Sequence, residues 1–188
     1  MRFLLSALLV LLGSIGAHAE LKEYGNLGGD FTLESSLNRP VSLSEFEGKV
    51  VILFFGYTSC PDICPTTMVR VQQALKRLEP DVEAQVQPLF ISVDPERDTP
   101  EQLQGYVTYF HPRFIGLTGE LEPLKQVARQ YGAFFAKDSR TESAAGYLVA
   151  HSGYTYLVDG EGALRALYRQ DAEPEEMAED ITELVDDL

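Results

Sequence analysis

Two cysteines are all this 188-residue chain possesses, and they stand four positions apart in GYTSCPDICPTTM, residues 56–68. A proline follows each, Pro61 after Cys60 and Pro65 after Cys64. Three chemistries are open to such a pair: a structural disulfide, a reversible redox couple, or two donors of a metal site. Its setting bears on the choice. Immediately upstream runs VVILFF, residues 50–55, a continuous apolar stretch of β-formers that suits a strand buried on both faces. Downstream, Met68, Val71, Leu75 and Leu78 recur at helical spacing, and Pro80 is expected to end that helix. Pro65 fits the first helical turn, which places Cys64 at the cap and Cys60 just before it, with Pro61 as an alternative start. Both sulfurs then face unpaired backbone N–H groups and the positive end of the helix dipole, an environment that lowers thiol pKa and favours the thiolate.

Spacing separates the three chemistries further. Cysteines four apart on a regular helix hold their Cβ atoms about 5–6 Å apart, whereas a disulfide wants about 3.5–4.5 Å. Closing the bridge requires local adjustment of the 60–64 loop. One metal ion can span the same gap, because each metal–sulfur bond adds over about 2 Å of reach. A permanent bridge would close a very small loop and add little stability. The pair is therefore expected to open and close.

A third donor has to come from the histidines. His18 lies in the N-terminal apolar segment, leaving His111 and His151. His111, in YFHPRF, follows a helical face and precedes proline, the pattern of a helix-end residue. His151, in LVAHSGYTYLVD, is expected to follow a loop of mostly uncharged residues and to precede a strand. A cysteine pair at the carboxyl end of the first buried strand, opening a helix, is the thioredoxin arrangement. In such a sheet the loop entering the later strand faces the cysteine-bearing turn, where His151 could complete a Cys2His set. Two thiolates and an imidazole are soft and low in coordination number. That set favours Cu(I) and tolerates Cu(II), while zinc usually takes a fourth ligand that no residue obviously supplies.

The elements that must position these residues are legible as a series. Short strand-like pieces are expected around residues 31–33 and Val41, a second buried strand in PLFISV ending at Val93, and a third in FIGLTG. Thr99, Pro100 and Gln102 spell a capping-box start with proline at the first helical position, and Leu103, Tyr106, Val107 and Phe110 supply that helix's apolar face. Leu121, Leu124, Ala128 and Tyr131 mark another helix. GYTYLVD and ALRALYRQ flank Asp159-Gly160-Glu161-Gly162, a strong hairpin signal. Met177, Ile181, Leu184, Val185 and Leu188 form a last amphipathic helix. The expected order is βαβα(β)αββα: an α/β, thioredoxin-like fold, a mixed central sheet flanked by helices, with an N-terminal β extension.

Composition bounds the rest. Length and a hydrophobic content of 45% suit one packed domain. A formal charge of −14 argues against nucleic acid as a partner. Residues 1–19 carry Arg2, a short apolar run and Ala17-His18-Ala19, the marks of a signal peptide, with an uncleaved anchor as the alternative. The division is then 1–19 signal peptide, 20–27 N-terminal segment and 28–188 domain. Export to the periplasm or cell envelope puts Cys60 and Cys64 where a disulfide persists.

GYTSCPDICP, SVDPERDTPE, FIGLTG and AHSGYTYLVDGEG, in that order, resemble the motifs of the Sco/SenC proteins, thioredoxin-fold copper-binding proteins of the mitochondrial intermembrane space and the bacterial envelope. The resemblance runs from about Gly28 to the C-terminus. It implies a copper site of Cys60, Cys64 and His151 holding Cu(I) or Cu(II). It also implies delivery of copper to the dinuclear centre of cytochrome c oxidase subunit II or another copper protein, or preparation of that centre's thiols through the redox pair Cys60 and Cys64. A copper donor chaperone and a thiol reductant are further implied partners, and the chain is expected to be a monomer. An envelope thiol-disulfide oxidoreductase without an obligatory copper role is the alternative. A peroxiredoxin would need threonine at position 57, where Tyr57 stands. Members commonly carry an acid just before the histidine, whereas this chain has Ala150. In SVDPERDTPE, Asp94, Arg97 and Asp98 are expected to form a local ion pair and a helix cap, with a docking surface as the alternative.

Overall fold

The computed structural model describes residues 21–143 and 146–188; the expected leader over residues 1–19 lies outside them. No helix among the described residues is long and apolar enough to cross a membrane. Strand β1 (Thr32–Ser35) pairs antiparallel with β2 (Pro40–Ser42). Strand β3 (Val50–Gly56) is buried along its whole length, as the apolar run requires. Helix α1 (Ile63–Leu75) follows, then β4 (Val86–Ser92), α3 (Pro100–Phe110), β5 (Ile115–Thr118) and α4 (Leu121–Gln130), with a short helix α2 (Pro80–Ala84) ahead of β4. Pro80 thus starts α2 at its first position and does not end α1, whose last turn closes at Leu75. Strands β6 (Phe135–Ser143), β7 (Gly146–His151), β8 (Thr155–Val158) and β9 (Leu164–Tyr168) lead to α5 (Pro174–Asp186).

The main sheet runs β2-β1-β5-β4-β3-β8-β9. Its centre, β3 with β4 and β4 with β5, is parallel, and β8 and β9 add antiparallel. This is the mixed, thioredoxin-like sheet, and β1–β2 is the expected N-terminal extension on its β5 edge. Alternation along β3 sends successive rings to opposite faces. Phe54 packs towards Phe90, whose ring meets Tyr106 of α3. Phe55 packs towards Tyr131 at the end of α4 and Tyr156 of β8. Helices therefore cover both faces, and burying each such ring contributes roughly 1.5–3 kcal/mol.

Strands β6 and β7 were not anticipated. They pair with each other in a separate two-stranded sheet that joins no strand of the main one. His151 is the last residue of β7 and pairs with Phe135, so it ends a strand where a loop was expected.

Candidate metal centre

Cys60, Cys64 and His151 meet at the carboxyl end of β3, with one donor atom of each within 4.8 Å of the others. Two metal–sulfur bonds in line span about 4.6 Å, so the three fit around one ion with a small contraction. His111 takes no part; it caps the C-terminus of α3 and lies 3.5 Å from Glu83.

The cysteine loop is built from its two flanking elements. A turn closed by the Cys60 amide on the Tyr57 carbonyl (3.2 Å) brings the chain from β3 to α1. Asp62 is the N-cap of α1, yet its side chain makes no capping bond. The Cys60 sulfur takes that role, accepting from the Cys64 amide at 3.5 Å. Cys64 is the second helical residue, two positions deeper than the cap at which it was expected. It is fully buried, and Cys60 is partly exposed.

This asymmetry splits the two thiols. A hydrogen bond from Cys64 is the main force holding the Cys60 thiol down to about 3, opposed by burial and aided by the backbone amides of Asp62 and Cys64. Burial pushes the Cys64 thiol far up, and the neighbouring Cys60 adds to it. The expectation that both thiols would be acidic is corrected here, because the helix mouth acts on Cys60 while Cys64 points into the core. One proton, on Cys64, and one negative charge, on Cys60, describe the pair at neutral pH.

His151, partly exposed, is oriented by a hydrogen bond and two aromatic rings. Its Nδ1 lies 2.9 Å from the Ser152 carbonyl, which can only accept, so Nδ1 carries a proton. Nε2 then presents its lone pair towards Cys64 Sγ at 3.4 Å, the orientation a metal-binding imidazole needs. Phe54 and Tyr57 meet the ring edge-on, at 6.0 and 5.7 Å between centroids. Ala150, exposed and one residue back along the strand, points to the opposite face of the ribbon.

Two positioning roles escaped the sequence reading. Gly56 is one: a Cβ there would stand 2.9 Å from Cys64 Sγ and from Phe90. A glycine closing an otherwise bulky strand just before the cysteines was its signal. Asp98 is another. It caps no helix, since Thr99 caps α3 with the anticipated Gln102 box. Instead its buried carboxylate accepts from the Thr58 amide (3.0 Å), the Thr58 hydroxyl (2.5 Å) and Ser92 (2.6 Å). Asp94 and Arg97 do form the expected ion pair.

The sequence profile of the SCO1/SenC family matches residues 19–186. A SCO2-like protein of Rickettsia conorii is 36% identical over 153 residues, 81% of this chain and 74% of that protein. The mitochondrial SCO2 protein of Saccharomyces cerevisiae is 41% identical over 143 residues, and the aligned region spans about half (48%) of that protein. The crystal structure of Arabidopsis thaliana ScoI with copper bound superposes with a TM-score of 0.77 at 36% identity, covering 86% of this chain and 99% of that one.

Proposed function

The chain belongs to the SCO1/SenC family, and from that premise we propose that it is a copper metallochaperone. In this reading Cys60, Cys64 and His151 take one copper ion and pass it to the dinuclear copper centre of cytochrome c oxidase, in the periplasm or cell envelope. The observation that carries it is the convergence of two sulfurs and one imidazole nitrogen within 4.8 Å, in a chain 36% identical to a relative solved with copper bound.

Each donor has its own part. Partly exposed and already a thiolate, Cys60 is the sulfur that incoming copper meets first. Cys64 follows by losing its proton, and a buried thiolate paired to a cation escapes the desolvation cost that holds the thiol protonated. His151 Nε2 supplies a harder third donor, which matters more for Cu(II) than for Cu(I). Anaerobic copper titration tests the set. About one copper per chain is expected, and His151→Ala should weaken Cu(II) binding sharply with the fold intact. Equal Cu(II) affinity in that variant would remove the three-donor site.

The split between the thiols also favours a second reading, a thiol-disulfide oxidoreductase. The Cys60 thiolate would attack a partner disulfide and displace one partner thiolate. Cys64, on losing its proton, would attack the mixed disulfide, releasing the second partner thiol and leaving a Cys60–Cys64 bridge for an external thiol to reduce. Loss of disulfide reduction in Cys60→Ser and Cys64→Ser, with full retention in His151→Ala, would favour this reading over copper carriage.

A further inference from the structure

The three donors belong to two separate bodies. Cys60 and Cys64 are anchored where β3 of the main sheet meets α1, whereas His151 ends a ribbon that shares no ladder with that sheet. Strand β8, which begins four residues after His151, pairs with β3 and ties that end of the ribbon to the cysteine-bearing strand, while the rest of the ribbon must be held by contacts other than strand pairing. Segment 94–98, the loop between β4 and α3, touches both bodies. At one end, Asp98 grips Thr58 through its amide and its hydroxyl, two residues before Cys60. At the other, Asp94 accepts a 2.6 Å hydrogen bond from the Tyr147 hydroxyl. Tyr147 lies on β7, four residues before His151, so both side chains project from the same face of the strand. Two cations lie against its ring, the Arg97 guanidinium at 3.9 Å and the Lys137 ammonium at 3.7 Å from the centroid. Each cation is tied to the same loop: Arg97 pairs with Asp94, and Lys137 lies 2.7 Å from Glu96. Arg97 also reaches to 5.6 Å from the Tyr57 ring, which itself abuts His151.

We propose that Tyr147 is a positioning residue for His151: clasped by Asp94, Arg97 and Lys137, it sets how far the third donor reaches towards the cysteines. The inference rests on the three-donor reading above and adds to it a site roughly 13 Å along the strand from the ligand. Without the clasp the ribbon keeps its own β6–β7 pairing and its link through β8 to β3, but loses the contact that fixes its reach towards α1. The thiol pair stays intact, because none of its bonds passes through Tyr147. The two oxidation states of copper should then respond differently, since two thiolates suffice for Cu(I) and the imidazole matters chiefly for Cu(II).

The test uses the full protein with Tyr147→Leu, which removes hydroxyl and ring, and Tyr147→Phe, which keeps the ring between its cations. Tyr147→Leu should weaken Cu(II) about tenfold, the lower end of the range seen when a group bonded directly to a ligand is lost. Cu(I) affinity, measured by competition with a chelator, should stay within about threefold. The Cu(II) electron paramagnetic resonance spectrum should lose its nitrogen coupling in Tyr147→Leu, and Tyr147→Phe should restore most of it. In the metal-free protein, the His151 ring resonances should shift in Tyr147→Leu while those of the α1 backbone hold. Parent-like Cu(II) affinity and spectrum in Tyr147→Leu would overturn the inference, as would equal weakening of Cu(I) and Cu(II). If Tyr147→Leu fails to fold, Lys137→Met, which removes one exposed cation, gives the same comparison in milder form. Failure of the underlying reading looks different: His151→Ala itself would then leave Cu(II) binding unchanged.

Discussion

Cys60 and Cys64 share one helix mouth and behave as opposites, because one sulfur caps the helix and the other is buried under it. The reactive thiolate is Cys60, with a pKa near 3. Its alkylation by iodoacetamide should therefore run at a constant rate from about pH 5 to 8, where an ordinary thiol of pKa about 8.5 would gain roughly tenfold per pH unit. Cys64 should stay unlabelled in the folded protein. The sign of the coupling gives a sharper test. The bond from Cys64 is the largest influence lowering the Cys60 pKa, so Cys64→Ala should raise it, slow labelling at pH 6 and restore a rise with pH. Mass spectrometry of the labelled peptide, residue by residue, reads all three outcomes.

Among the elements, β3 carries the most demanding constraint, at its last residue. Replacing glycine by alanine within a strand ordinarily helps by about 0.5–1 kcal/mol through the unfolded chain. At Gly56 the added methyl would meet Phe54 at 2.7 Å and both Cys64 Sγ and Phe90 at 2.9 Å. Overpacking of that kind costs about 1–3 kcal/mol, so the clash wins. Gly56→Ala should lower the urea midpoint and displace Cys64, weakening Cu(I) binding as well. Elements encoded by local chemistry were legible in the sequence. The Thr99-Pro100-Gln102 start of α3, the buried run of β3 and the hairpin at residues 159–162 all formed where local chemistry placed them. The β6–β7 ribbon was not legible. Residues 135–143 read FAKDSRTES, a composition typical of loops, and a ribbon outside the main sheet leaves no buried apolar run to betray it. Pro80 was ambiguous for a related reason, since proline serves equally before a helix and after one.

At the scale of the whole molecule, the identity of the donors was legible through scarcity. With two cysteines and three histidines in the chain, few sets were available. Their geometry was not, because Cys64 and His151, separated by 87 positions in the chain, are brought together only by the assembled sheet and the 94–98 loop. Copper bound across that contact would join the ribbon to the main body and favour the folded state by mass action. At free copper one hundred times its Kd, the gain is about 2.7 kcal/mol. For a chain of this length that corresponds to a melting temperature higher by roughly 5–10 °C, reversed by a chelator that strips the ion. Scanning calorimetry of the loaded, empty and chelated protein reads it directly, and His151→Ala should retain only part of the increase. The long span of that contact carries one more consequence. Proteases cut a chain during the moments when it opens, and a clip across 87 residues makes those moments rarer. Loaded protein would outlive empty protein wherever proteases patrol, so the supply of metal would set the abundance of its carrier without any change in its synthesis.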